Sequence, residues 1–298
     1  MSLESLQWWP APAKLNLCLH ITGVRVDGYH ELQTIFQIID LQDELAFELE
    51  SSGSVLRVDD AAAFPGELAT VAPENDLCVR AALALRKASG RAKIEGIGVR
   101  IRIRKNIPIG SGLGGGSSDA ATTLCVLNQL WGLGLSEDAL SAIGLTLGAD
   151  VPLFVRGFSS LGEGIGELLT PLDLPRRSFL VLHPRVSIPT STIFQASELT
   201  RNSHILTIPA LLASGGRNDC EPVVRTRFPE VAEAFDWLSG FGVARLTGTG
   251  SCLFMSFETN AEAQSVAEQV PDIWRAWVAR GLSVSPLRMR LEKFLDIA

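Results

Sequence analysis

No two cysteines of this sequence form a CxxC pair; the five present, Cys18, Cys78, Cys125, Cys220 and Cys252, are odd in number and scattered through mostly apolar patterns. That excludes a zinc ribbon or a thioredoxin-type motif and predicts reduced thiols in a core. Four scattered histidines offer no metal-ligand spacing either, so the metal ligands are unassigned. Nowhere do eighteen apolar residues run together, and Met1 to Pro12 holds no basic stretch leading into an apolar one. These absences predict a cytoplasmic protein without a membrane partner. Positive charge is scarce as well: 26 Lys and Arg against 33 Asp and Glu leave a net charge of −7, which speaks against a broad nucleic-acid surface but permits a local pocket for an anion. At 298 residues, 46% of them hydrophobic, the chain is long enough for two domains with a substantial core, and the expected partner is a small molecule.

Glycine, by contrast, is crowded into one place. Residues 108 to 120 read Pro-Ile-Gly-Ser-Gly-Leu-Gly-Gly-Gly-Ser-Ser-Asp-Ala. Ahead of them Ile97, Val99, Ile101 and Ile103 alternate with Gly98, Arg100, Arg102 and Arg104, the period of a strand with one buried face. Behind them Ala120, Leu124, Leu127 and Trp131 recur at helical spacing, with Ser117 or Ser118 as the expected cap and Gly132 and Gly134 as the stop. Strand, glycine loop, helix is an arrangement in which free N–H groups and the positive end of the helix dipole favour a phosphate. Glycine admits positive φ and lets an anion approach without a Cβ in the way. Gly110 to Gly115 formally fits the dinucleotide fingerprint, but Ser136-Glu137-Asp138 then opens a second helix where a second parallel strand is required. No Lys-Ser or Lys-Thr follows the glycines, so the Walker form fails too.

Elsewhere Leu15, Leu17, Leu19 and Ile21 alternate with Lys14, Asn16, Cys18 and His20, predicting a strand with one face free for chemistry. Asp27-Gly28-Tyr29-His30 signals a turn, followed by one strand through Ile35 and another from Glu44 to Glu50. Leu77 to Ala88 reads as a helix, and Leu153-Phe154-Val155 as the start of a short strand after Gly148-Ala149-Asp150-Val151-Pro152. Further on come a strand at Phe179 to His183, a helix around Ile193 to Leu199, a helix from Pro229 to Leu238, a hairpin from Val243 to Phe257 and a helix from Ala261 to Glu268. The expected domains are 1–168 and 169–298, with the ligand between them.

Pro108-x-x-x-Gly112-Leu113 with Ser117-Ser118-x-Ala120, Lys14-x-Asn16 upstream and Gly248-x-Gly250 downstream resembles the GHMP small-molecule kinases in order and spacing. The resemblance implies an α+β, two-domain fold, with an N-terminal nucleotide domain like ribosomal protein S5 and a C-terminal ferredoxin-like domain. It implies ATP as phosphoryl donor, Mg²⁺ with it, and a site along Lys105, Pro108, Gly110, Ser111, Gly112, Leu113, Gly114, Gly115, Gly116, Ser117 and Ser118. The segments around Lys14, Tyr29, Asp150 and Thr247 are similar to those of family members that phosphorylate the 2-hydroxyl of a cytidine-diphosphate-linked methylerythritol, a step of non-mevalonate isoprenoid synthesis. On that similarity Asp150 and Lys14 are the catalytic pair and Asn16, Tyr29, His30, Thr190 and Phe194 hold the substrate, the cytosine lying between Tyr29 and Phe194 with His30 at its edge. By local sequence alone Asp150 is equally a turn residue, Lys14 a strand lysine with a buried stem, and Phe194 a core residue. Asp76 and Gln195 depart from the pattern: asparagine is common at the first position and a basic residue in some members at the second. A kinase of the same family for homoserine, mevalonate or a sugar, and a sensor without turnover, are the other readings.

Overall fold

The computed structural model describes residues 6–59, 71–90 and 96–297. Two long strands, β1 (Trp8–Val24) and β2 (His30–Glu50), pair antiparallel across a turn in which Gly28 takes φ 87°. The sequence divides β2 into two runs, yet it is one strand of 21 residues. Asp40 and Asp43 interrupt its apolar alternation without interrupting the ladder, because Asp40 accepts from Arg280 N and Asp43 from Asn106 N and Ile107 N.

Strand β3 (Val55–Asp59) runs parallel to β4 (Gly98–Arg104), which pairs antiparallel with β2; α1 (Leu77–Ala88) lies between them in sequence. The alternation expected of β4 is observed. Val99, Ile101 and Ile103 are buried with α1 and α2 (Gly115–Leu130), while Arg100, Arg102 and Arg104 pair with Glu50, Glu48 and Glu44 of β2. Helix α3 (Glu137–Leu145) starts where Ser136 accepts from Ala139 N. The expected strand at Leu153–Val155 is instead helix α4 (Val151–Arg156), with Pro152 in its first turn and Gly157 closing it at φ 70°. A three-residue apolar run fits a buried helix as well as a strand, and Pro and Gly at its ends decide for the helix. Two short strands, β5 (Ser160–Glu163) and β6 (Leu168–Pro171), complete this half.

The second half holds β7 (Ser178–His183), α5 (Thr190–Phe194), α6 (Ile208–Ser214), α7 (Glu221–Arg227), α8 (Pro229–Ser239), β8 (Arg245–Leu246), β9 (Leu253–Phe257), α9 (Asn260–Ala267), β10 (Arg275–Leu282) and α10 (Pro286–Ile297). Helix α5 thus starts ahead of the range expected of it and overlaps that range only at Ile193 and Phe194. The sheet order is β3-β4-β2-β10-β7-β9-β8, with β10 as the joint: Arg275–Arg280 pair with β7, then Gly281 and Leu282 with Ile39 and Ile38 of β2. Gly281 suits that joint because a Cβ there would come within 3.0 Å of both Gln37 and Phe179. One core lies under α1, α2 and α4, and another packs Leu180, Leu182 and Leu253 with Val231 and Phe235 of α8. A third, with Leu15, Ile107, Leu113, Phe179 and Phe254, fills the seam between the halves. Helix α10 returns to the first core through Leu287, and its Phe294 meets Trp9 edge-on at 5.5 Å. The architecture is the mixed helix-and-sheet one expected, and all five cysteines are free and buried. Among the described residues no helix is long and apolar enough to cross a membrane.

Candidate active site

The glycine loop is built by three left-handed glycines, Gly110, Gly112 and Gly114, at φ 69°, 83° and 75°. Helix α2 begins one residue after the last of them, so the cap is Gly114 and not Ser117 or Ser118. No side chain caps the helix, which leaves the first N–H groups of α2 open toward the cleft. The Ser118 hydroxyl is buried without a partner, and Leu113 is in the seam core, so neither side chain faces outward. Gly115 has no positive φ; its need for glycine is the floor beneath, where a Cβ would sit 2.9 Å from Ile107 and 3.1 Å from Lys105 Nζ. Against the loop from the other half lies Thr247-Gly248-Thr249-Gly250. A Cβ on Gly112 would be 2.3 Å from Thr247 O, and one on Gly250 2.2 Å from Gly112 N. In the sequence Gly248-x-Gly250 stood out only as part of the family pattern; neither its approach to the glycine loop nor the threonines beside it carried a signal of their own.

Lys14 and Asn16 enter from β1, which shifts register between Pro12 and Lys14 and again between Asn16 and Cys18. Such bulges re-aim groups out of the ladder. Here Lys14 N donates to Leu113 O at 2.9 Å and Asn16 N to Thr247 Oγ1 at 3.0 Å, tying the strand to both glycine segments. The Lys14 ammonium is buried. It lies 2.5 Å from Asn16 Oδ1 and 3.2 Å from Asp150 Oδ2, with the Phe36 ring 5.4 Å away. Asp150 heads α4, but its carboxylate makes no capping bond and so remains available to Lys14 and the cleft.

Lys105 sits at the end of β4, beneath the loop. Its ammonium is shared by Asp43, which it contacts closely, and Asp119 at 2.8 Å, all three being buried. Burial works against the Lys105 charge, but the two carboxylates outweigh it and hold its pKa above the ordinary value. Burial pushes Asp119 up, against the pull of Lys105 and with the help of Asp43. Neither carboxylate was singled out in the sequence; Asp43 stands 62 residues from Lys105 and nothing local marks the pairing.

A cavity of about 560 Å³ opens between these parts. Lys14, Asn16, Asp150 and the loop from Pro108 to Ser117, Leu113 excepted, line one side, and Thr190, Phe194, Gly248 and Thr249 the other. Asp76 also lines it, as the buried cap of α1, accepting from Cys78 N and Val79 N and paired with Arg57 at 2.8 Å. Gln195 ends α5. Tyr29 is 58% exposed at the hairpin tip and does not line the cavity, and neither does His30. The His30 ring stacks on Phe194 at 4.8 Å, and its Nε2 accepts from Arg201 Nε at 3.2 Å. Burial, reinforced by the Arg201 charge, holds His30 below the usual imidazole range. Arg201, which also donates to Leu199 O, Phe194 O and Ala196 O, carried no sequence signal.

This assembly can bind an anion at the start of α2 and present a buried ammonium and an adjacent carboxylate to whatever lies beside it. Comparisons with known proteins agree. Residues 76–158 match the model described as GHMP kinases N terminal domain and residues 196–276 that of GHMP kinases C terminal. The 4-diphosphocytidyl-2-C-methyl-D-erythritol kinase of Halorhodospira halophila is 51% identical over 95% of this chain and 96% of its own length. The protein of the same name from Alkalilimnicola ehrlichii is 49% identical over 97% and 96%. A crystal structure of 4-(cytidine 5'-diphospho)-2C-methyl-D-erythritol kinase superposes with a TM-score of 0.73 at 34% identity, covering 92% of this chain and 99% of that one. Homoserine kinase from Cytophaga hutchinsonii, at 17% identity and a TM-score of 0.68, shares the fold. The chain belongs to the GHMP kinase family, in its group of 4-diphosphocytidyl-2-C-methyl-D-erythritol kinases.

Proposed function

We infer that the protein transfers the γ-phosphoryl group of ATP to the 2-hydroxyl of 4-diphosphocytidyl-2-C-methyl-D-erythritol, in non-mevalonate isoprenoid precursor synthesis. The observation that carries this reading is the Lys14–Asp150 pair at 3.2 Å on the wall of a cavity that also holds the glycine loop. Phosphoryl transfer to an alcohol needs positioning and charge neutralisation more than covalent help. In the proposed step the substrate oxygen bonds to Pγ as the bond from Pγ to the β-phosphate oxygen breaks. The hydroxyl proton passes to Asp150, and ADP leaves. Lys14 pairs with Asp150 and donates to the reacting oxygens, and Asn16 holds the same hydroxyl. The N-terminus of α2 with Gly110 to Ser117 takes the phosphates, and Lys105 anchors that loop from beneath. Mg²⁺ would come with ATP and neutralise charge on its phosphates; no group of three or more His, Cys, Asp or Glu that could hold a metal occurs among the described residues, so no ligand is named for it and no step is assigned to it. We take 1–168 as the nucleotide half and 169–298 as the half that completes the substrate cleft. Five free, buried thiols suit a cytoplasmic enzyme.

The loop is tested by Gly112→Ala. At φ 83° an alanine is strained, and its Cβ would press on Thr247 O. The strain of about 1–2 kcal/mol should raise the KM for ATP roughly five- to thirtyfold; unchanged ATP saturation would mean that the loop does not hold the phosphates. For the substrate, Phe194, stacked on His30, lines the cavity, and the cytosine is assigned to the space between it and Tyr29. Tyr29→Ala should cost the cytidylated substrate roughly 1–3 kcal/mol, about fivefold to 150-fold in kcat/KM, and spare ATP. The decisive assay is ADP release with the cytidylated substrate beside bare methylerythritol phosphate. Equal rates would remove the cytosine site and leave another alcohol as the acceptor.

A further inference from the structure

We propose that Thr34 is a positioning residue of the phosphoryl transfer: its hydroxyl sets the orientation of the Asn16 amide, and through it the place of the Lys14 ammonium. Thr34 is fully buried on β2, one strand away from the catalytic pair, and touches neither Lys14 nor Asp150 by hydrogen bond. Its Oγ1 lies 2.6 Å from Cys18 O and 2.8 Å from Asn16 Nδ2. A carbonyl only accepts, so the single hydroxyl proton is committed to Cys18, and the hydroxyl oxygen can only accept from Asn16. At the other end of the same amide stands an ammonium, which only donates, 2.5 Å from Asn16 Oδ1. Both ends therefore demand one orientation. A flipped amide would set NH₂ against the ammonium and a carbonyl oxygen against the lone pairs of Thr34. The register shift between Asn16 and Cys18 belongs to the same arrangement, since it is beside this bulge that Cys18 O meets the Thr34 hydroxyl.

Without the Thr34 hydroxyl, Cys18 O and Asn16 Nδ2 lose this partner, and the Asn16 amide is held only through its bond to Lys14. Anchored at one end, the amide fixes the Lys14 ammonium less firmly, while Asp150 remains at 3.2 Å. The chain Cys18 O, Thr34, Asn16, Lys14, Asp150 is continuous through three hydrogen bonds and an ion pair, whereas the phosphate loop is not part of it. Thr34 thus acts on the chemical step and not on ATP capture.

This inference rests on the catalytic roles proposed above for Lys14, Asn16 and Asp150, and its test separates the two. Thr34→Val keeps the volume and removes the hydroxyl. It should lower kcat about three- to tenfold, the worth of one buried hydrogen bond, with the KM for ATP unchanged, and Thr34→Ser should restore most of the loss. Asn16→Ala should be lower still, and Thr34→Val combined with Asn16→Ala should be no worse than Asn16→Ala alone, because Thr34 acts through Asn16. Thr34→Ala serves in the same cycle should the valine protein fail to fold. Wild-type kcat in Thr34→Val, or losses that multiply in the double variant, would overturn the proposal. If the wild type phosphorylates another alcohol and not the cytidylated one, the substrate reading falls and the cycle is run on that alcohol.

Discussion

Asp150→Asn should lower kcat by on the order of 10²–10⁴, the contribution of a positioned acid–base group, while ATP still binds. Asparagine has the volume of aspartate and keeps a carbonyl oxygen for Lys14, but it cannot take the hydroxyl proton. The native carboxylate makes no capping bond, although it heads α4, and among the described residues its ion pair is with Lys14. The substitution therefore removes little from the fold. It removes instead the charge that balances a buried ammonium, and the two effects on catalysis act in the same direction. ATP affinity, measured by calorimetry on the variant, should stay within a few-fold of wild type because the loop of Gly110 to Ser117 is untouched. Near-normal turnover by a folded Asp150→Asn protein would take Asp150 out of its role.

How much of this site was legible in the sequence follows from how local each feature is. The strand, loop and helix from Gly98 to Leu130 are contiguous, and their periodicities and glycines give them away. The helix start was misplaced because a serine is the usual cap, whereas here a left-handed Gly114 turns the chain and leaves the N–H groups free. Lys14 and Asp150, far apart in the chain, were paired by family resemblance and not by any local rule. Strand β10 and helix α10 were not read at all, since β10 is only partly buried along most of its length and its partners are strands much earlier in the chain. The supports behind the site, Thr34 behind Asn16 and Asp43 and Asp119 around Lys105, are ordinary residues whose meaning comes from partners 14 to 62 positions away. Tertiary contact defines them, and a single sequence does not print tertiary contact.

The Lys105 cluster carries the largest expected effect on stability. Lys105 directly precedes the glycine loop and Asp119 lies in the first turns of α2 after it, so their 2.8 Å bond closes the loop at its stems, while Asp43 fixes both to β2. Lys105→Met keeps the length of the side chain but leaves the buried Asp43 carboxylate, with the Asp119 carboxyl across the same ammonium site, without its counter-charge. Breaking a buried pair in this way costs about 3–5 kcal/mol, a fall in Tm of roughly 6–15 °C for a chain of this size. The loss should depend on pH. Asp119 is raised from its ordinary value to about 8; a raised acid contributes its stability fully below the ordinary carboxylate pKa and loses it as pH rises toward the folded value. Between pH 4 and about 8 the native state holds the proton that the unfolded chain releases, so stability declines with pH across that window. In Lys105→Met the counter-charge that pulls Asp119 down is gone, so Asp119 holds its proton to higher pH and the deficit against wild type should widen only above the pH at which the wild-type Asp119 ionises. Asp119→Asn, which removes the titrating group, should flatten the wild-type decline over the same range. Thermal unfolding of the three proteins at several pH values reads all of this at once. A Lys105→Met protein as stable as wild type, or an Asp119→Asn protein whose stability declines with pH as steeply as wild type, would mean that the three side chains do not share one buried charge balance.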